Sequence, residues 1–533
     1  MSTTSSTPRW RRALAALSPS HSHTAFTATL LLMASVMASR LIGLVKTKYI
    51  AWLLGRTAAA DAFNAAFQLP DMLSYFLIGG AASITFVTML TRYHDQNRDR
   101  EGERAMSVIL TTMGLVLGSA IIVAEFFAPL YVRLLLHGFE NDPAKAALCV
   151  HLTRILLPAQ LFFLGGGVFA AVLMARKQFT IQAITPLVYN CGIIFGGVLL
   201  YRRYGVSALA VGAVAGAFLG PFLLNAIWAH RAGMRFRPIL EWSNPGLREW
   251  VGMSVPLMLG VSLVSADNWI INFFASQNGG AVSLLTYAKQ LFNVPVALGQ
   301  AAGAASLPFL ASLFVKPDRA PFSRTVNAAV SKILAFSILL TGYLIAMAYP
   351  AVDVVFRGGK FHRVDSGAMA LYFAVFAISL CLWSAQAIYA RAFYAAGNTL
   401  TPMIAGTIVT VCSLPIYWSL YHGFGPAGLA VASDIGILIQ TVTLAVLLHR
   451  RNMVSLAGLE YAELARSVLA GFVVFAALDV LAHYAASPSR IHELVLLIVA
   501  SGVWLGLSAG VLKLTGSTLP SQFLGRFGSS KAA

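Results

Sequence analysis

Ser39-Arg40-Leu41-Ile42-Gly43-Leu44-Val45-Lys46 sets two cations six residues apart inside a stretch, 25–54, that is otherwise almost wholly apolar. On a helix Arg40 and Lys46 fall within about 120° of each other. An arginine at mid-membrane costs about 2.5–3.5 kcal/mol on insertion scales, so such residues face a partner or a polar cavity. The chemistry on offer is anion binding, with a guanidinium fork that matches phosphate oxygens and an ammonium that acts as a point charge. The competing uses are ion pairing of Arg40 with Asp61 or Asp71, and snorkelling of Lys46 and Lys48 toward headgroups. A second apolar stretch carries Asp267-Asn268, whose oxygens suit a coupling cation (Na+ or H+). Pairing of Asp267 with Lys289 is the alternative there.

The elements that hold these groups follow from composition. Of 533 residues, 58% are hydrophobic and 11% charged, with a mean hydropathy of +0.74. Soluble domains carry about 25% charged residues, so the chain reads as a polytopic membrane protein. Its net charge of +18 is dispersed over short loops, which fits membrane orientation and gives no reason to expect nucleic acid as a partner. Apolar stretches of about 20 residues occur fourteen times, among them 26–54, 60–91, 401–421, 427–449 and 492–515, and several are interrupted by Pro70, Pro158, Pro186 or Pro402. Loop cations such as Arg92, Arg98, Arg176, Arg231 and Arg450 gather on one side, which predicts that both termini are cytoplasmic.

Several chemistries find no support. Cys149, Cys191, Cys381 and Cys412 stand singly without metal-ligand spacing. His21 and His23 belong to a polar tail, and no removed signal peptide is expected. There is no phosphate-binding Gly-x-x-x-x-Gly-Lys loop and no candidate enzyme site, so the expectation is a transporter without a nucleotide cofactor. The membrane potential would supply about 2.3 kcal/mol per charge per 100 mV.

The chain repeats itself at about 220 residues. Gly80-Ala81-Ala82-Ser83 returns as Gly303-Ala304-Ala305-Ser306, Thr185-Pro186 as Thr401-Pro402, and Gly205 with Leu209-Ala210-Val211 as Gly425 with Leu429-Ala430-Val431. A repeat of six helices gives two parallel halves, an architecture of transporters with the substrate site between the halves. The predicted fold is all-α. A cytoplasmic tail (1–24) precedes an N-terminal six-helix lobe (25–232) and a C-terminal six-helix lobe (246–451). Two extra transmembrane helices (460–516) and a second cytoplasmic tail (517–533) complete it.

These residues also resemble a family. Ser39-Arg40-x-x-Gly43-x-x-Lys46, followed by Asp61-Ala62-Phe63-x-x-Ala66-Phe67-x-Leu69-Pro70, is similar to the opening signature of the MurJ (MviN) lipid II flippases. Phe356-Arg357-Gly358-Gly359-Lys360-Phe361 and Gly397-Asn398-Thr399-Leu400-Thr401-Pro402 extend the likeness over nearly the whole chain. The resemblance implies fourteen helices within the multidrug/oligosaccharidyl-lipid/polysaccharide exporter superfamily. It also implies a bacterial inner-membrane location, a role in cell-wall biogenesis and a polyprenyl-diphosphate-linked sugar as substrate among membrane lipids, with the protein acting as a monomer. By the same resemblance Arg40 takes the first diphosphate-binding position, Lys46 replaces a second arginine, and Asp61 matches an acidic residue. Ser74 and Gln290, the latter beside Lys289, stand where relatives carry arginine. Those departures leave two alternatives: a flippase for another polyprenyl-diphosphate-linked glycan, and a cation-coupled multidrug exporter of the same superfamily.

Overall fold

In lipid every backbone N–H and C=O must be satisfied within its own segment, and the chain meets that condition with helices. The computed structural model describes residues 25–520 apart from 79–85, 87–88, 91, 94–95, 177, 179, 260–262, 315–317, 486 and 488. The tails 1–24 and 521–533, with His21 and His23, lie outside the described residues, as does most of the first Gly80 repeat. Among the described residues no strand forms beyond an isolated bridge between Gly358 and Phe361.

The helices in chain order are α1 (Ala25–Leu54), α2 (Ala58–Ala66), α3 (Gln68–Leu73), α4 (Asp99–Leu135), α5 (Pro143–Leu156) and α6 (Ala159–Ala175). They continue as α7 (Thr180–Tyr204), α8 (Ser207–Ala217), α9 (Asn225–Arg231), α10 (Pro245–Leu259), α11 (Leu263–Ala275) and α12 (Ala281–Phe314). The rest are α13 (Ala320–Ala346), α14 (Ala348–Phe356), α15 (Arg363–Ile378), α16 (Leu380–Ala395), α17 (Leu400–Arg450), α18 (Tyr461–Tyr484) and α19 (Arg490–Leu514). Among the described residues eight helical segments are long and apolar enough to cross a membrane, and α15 with α16, bent by 42°, makes a ninth. One of the eight, α17, runs through both predicted spans 401–421 and 427–449 and is kinked at Gly425, whose φ of 60° is a left-handed value. The predicted span 60–91 is instead broken: α2 ends at Ala66, α3 follows, and Ser74–Ile78 is a π-helical turn.

The chain divides into two units. The first comprises residues 1–46, 66–130 and 150–259, and the second residues 47–65, 131–149 and 260–533. Both short excursions, 47–65 and 131–149, carry polar anchors described below. They therefore belong with the second unit, whereas the expected lobe boundaries kept them in the first.

In the first unit α7 and α8 cross almost backbone to backbone. A Cβ on Gly192 would lie 2.5 Å from the Gly216 Cα, and one on Gly212 would lie 2.5 Å from the Gly192 oxygen. Small residues permit that approach, which replaces hydrophobic drive with close van der Waals contact. A buried cluster around Met106, Leu117, Leu164 and Val168 includes Phe86 and Trp250, whose ring centroids are 5.2 Å apart. A second π-helical turn, Phe218–Leu224, contains Pro221. The Asn225 amide donates to the Pro221 oxygen at 2.7 Å, satisfying an acceptor there.

In the second unit α13 carries α18, and Gly342 lies so close to Gly471 that a Cβ would fall 2.5 Å from its oxygen. The Trp504 indole of α19 donates to the Leu339 oxygen at 3.0 Å, which fastens the C-terminal helix pair to α13.

Candidate functional site

In the first unit α1 presents Ser39, Arg40 and Lys46 half-buried, with Gly43 buried among them. The glycine keeps that face of α1 low while two long cationic side chains rise on either side of it. Lys46 lies within electrostatic range of Asp71 on α3 without forming an ion pair among the described residues.

Asp71 and Ser74, three residues apart and hence on one helical face, line a cavity of about 230 Å³. Gln160 and Tyr189 reach the same space from α6 and α7, with Phe67 and Phe163 as apolar walls. The Asp71 side chain is exposed and lines the cavity. Ser74 therefore shares the cavity wall with a carboxylate.

Asp61 has a different position from Arg40. It belongs to the second unit and is 0% exposed. Its Oδ2 accepts from the Lys145 Nζ at 3.1 Å and from the Gly280 N–H at 2.7 Å, and its Oδ1 accepts from the Ser283 N–H at 2.9 Å. Lys145 also sits 3.9 Å from the Phe139 ring centroid. Gly280 and Ser283 flank the start of α12, so Asp61 satisfies orphan donors at that helix end and complements its dipole. With both oxygens engaged, Asp61 acts as a clamp, and Lys145 is its ion-pair partner.

The Asp267 reading resolves in favour of Lys289. Asp267 is 1% exposed on α11. One carboxylate oxygen meets the Lys289 ammonium of α12 and also accepts from the Ser433 hydroxyl at 2.9 Å. The other oxygen accepts from the Tyr417 hydroxyl. A protein ammonium thus pairs with this carboxylate. Asn268, next along the helix, is exposed and turned away from that group. Gln290 is half-buried beside Lys289. Asp434 on α17 is within electrostatic range of Asp267 and Lys289, and its Oδ1 has no hydrogen-bond partner among the described residues.

Outside the spans, charges pair at the surface. The Arg92 Nη2 donates to both Glu249 oxygens, and that contact raises the Arg92 guanidinium above its ordinary range.

Sequence reasoning missed Lys145, Tyr417 and Ser433 as partners of the buried carboxylates. It also named Asp71 only as a pairing partner for Arg40. The signal for the cavity was present in the three-residue spacing of Asp71 and Ser74. Nothing local signals Lys145, which lies 84 residues from Asp61.

Comparison with known proteins bears on the family and the fold. Curated relatives include a probable lipid II flippase MurJ of Vibrio cholerae, 28% identical over 84% of this chain and 87% of the relative. Another is the lipid II flippase MurJ of Burkholderia cenocepacia, 29% identical over 80% of this chain and 84% of the relative. Among solved structures, a lipid II flippase MurJ in an inward closed conformation superposes with a TM-score of 0.76 at 20% identity, covering 90% of this chain and 99% of its own. A multidrug resistance MATE family transporter of the MOP superfamily in its inward-facing conformation gives 0.60 at 14% identity, covering 83% and 99%. These two likenesses establish the fold. The family model described as Lipid II flippase MurJ matches residues 50–507, and the chain belongs to that family.

Proposed function

We propose that this protein moves lipid II, the undecaprenyl-diphosphate disaccharide-pentapeptide, from the inner to the outer leaflet of the bacterial cytoplasmic membrane by alternating access. Membership of the MurJ family supports the reading, and the observation that carries it is the cationic face of α1, where Arg40 and Lys46 stand half-buried inside an apolar helix. A diphosphate crossing hydrocarbon loses its hydration and needs replacement donors. Arg40 supplies a fork for two phosphate oxygens, and Lys46 adds charge with a looser grip. Ser39 and Gly43 complete that face. The polyprenyl tail stays in lipid. The distribution of loop cations supports cytoplasmic termini, and the reading takes the protein as a monomer.

Ser74 and Gln290 favour a second reading, a flippase for another polyprenyl-diphosphate-linked glycan. With two arginines missing, the diphosphate grip relies more heavily on Arg40 and Lys46. Complementation separates the two: expression in a bacterium depleted of its own lipid II flippase restores growth if lipid II is the substrate. A well-expressed protein that fails to rescue assigns the activity to another glycan.

A further inference from the structure

The group expected to bind a cation, Asp267, is already neutralised by Lys289, Tyr417 and Ser433. The carboxylate in the Asp71 cavity is in the opposite condition. Asp71 accepts no side-chain hydrogen bond and joins no ion pair among the described residues, although it lies inside a lobe that crosses the membrane. Gln160, 5% exposed, lines the same cavity. The polar inventory of the walls is a carboxylate, an amide, the Tyr189 phenol and the Ser74 hydroxyl. Each offers oxygen, the ligand atom that hard cations take. The volume, about 230 Å³, accommodates an ion with several waters at roughly 30 Å³ each.

We propose that the Asp71 cavity binds a monovalent metal cation, Na+ in the first instance, with Asp71, Gln160, Tyr189 and Ser74 supplying oxygen ligands beside retained waters. Lys46 connects this site to the cargo, in a step that rests on the flippase reading above. In the absence of cargo the Lys46 charge lies within range of Asp71 and opposes the cation. A diphosphate bound at Lys46 neutralises that opposition, so cation and anionic lipid bind cooperatively. The linkage is reciprocal: whatever factor the diphosphate adds to Na+ affinity, Na+ adds to diphosphate affinity.

The test uses the full chain in nanodiscs of zwitterionic lipid, with choline as the background cation and ²³Na relaxation as the readout. The wild type should enhance Na+ relaxation saturably. Asp71→Asn should abolish the enhancement, and Gln160→Leu, which keeps every charge in place, should weaken it severalfold. Equal enhancement in all three proteins, or none in the wild type, overturns the site. If Asp71→Asn does not fold, the Gln160→Leu comparison decides alone. A second arm adds undecaprenyl diphosphate. The proposal predicts at least a threefold gain in Na+ affinity, and an unchanged affinity in the presence of bound lipid overturns the coupling. Failure of the lipid to bind at all, with the Asp71-dependent Na+ signal intact, removes the cargo reading and leaves the cation site standing.

Discussion

Lys145 and Asp61 form a buried ion pair, Nζ to Oδ2 at 3.1 Å, with side-chain exposures of 6% and 0%. The same carboxylate caps α12 through Gly280 and Ser283. One acidic residue thus ties the excursions 47–65 and 131–149 to the helix that carries Lys289. Two charges withdrawn from water are tolerable only when each is matched and the remaining lone pairs are filled, as they are here.

Removing either partner should therefore cost more than removing both. Lys145→Met strands a buried carboxylate and should destabilise the protein by about 3–5 kcal/mol. The double variant Lys145→Met with Asp61→Asn should recover part of that loss. Thermal melts of detergent-purified protein check this, and additive losses would show that the two residues do not act as a pair.

The Asp267–Lys289 contact makes a parallel prediction in another part of the second unit. Lys289→Met leaves Asp267 with hydroxyl donors alone and should lower the melting temperature. Pairing it with Asp267→Asn should restore much of the difference. If Lys289→Met instead left the melting temperature unchanged and weakened lipid binding, Lys289 would belong to the cargo site.

At the α7–α8 crossing, a side chain has no room. Gly212→Leu would set its Cβ about 2.5 Å from the Gly192 oxygen, forcing the helices apart at a cost of about 1–3 kcal/mol or more. The expected outcome is a sharp fall in the yield of monodisperse protein. Gly118→Leu, where nothing lies within 4 Å of the added Cβ, serves as the control and should express normally.

Ser74→Arg adds a cation to the wall of the cavity that Asp71 also lines. The variant should fold, should pair its guanidinium with Asp71, and should hold undecaprenyl diphosphate at least as tightly as the wild type. Loss of folding would show that the cavity does not admit the larger group.

What was legible in the sequence followed from local rules. Apolar length announced α4, α13, α18 and α19, and a cation inside an apolar helix singled out Arg40. Gly425 was visible in the repeat, and its positive φ of 60°, which glycine adopts at no steric cost, is what kinks α17. The partners of buried charges were not legible. Asp61 could have faced Arg40 or Lys145 on sequence grounds, and the choice depends on which unit residues 47–65 join. The interruption after Ala66 was also hidden, since Phe67, Leu69 and Pro70 continue an apolar pattern across the point where α2 stops and α3 begins. Asp267 illustrates the same limit from the other side. Its neighbour Asn268 suggested a ligand pair, but adjacent helix positions diverge by about 100°, and the real companions come from α12 and α17.

The measurement that bears most directly on the central claim is growth of a flippase-depleted bacterium carrying this chain with Arg40→Ala, Arg40→Lys or no substitution, at matched membrane abundance. An anion-binding Arg40 predicts rescue by the unsubstituted protein, partial rescue by Arg40→Lys and none by Arg40→Ala. Full rescue by Arg40→Ala at the same abundance would contradict it, because the cationic face of α1 would then play no part in carrying the diphosphate.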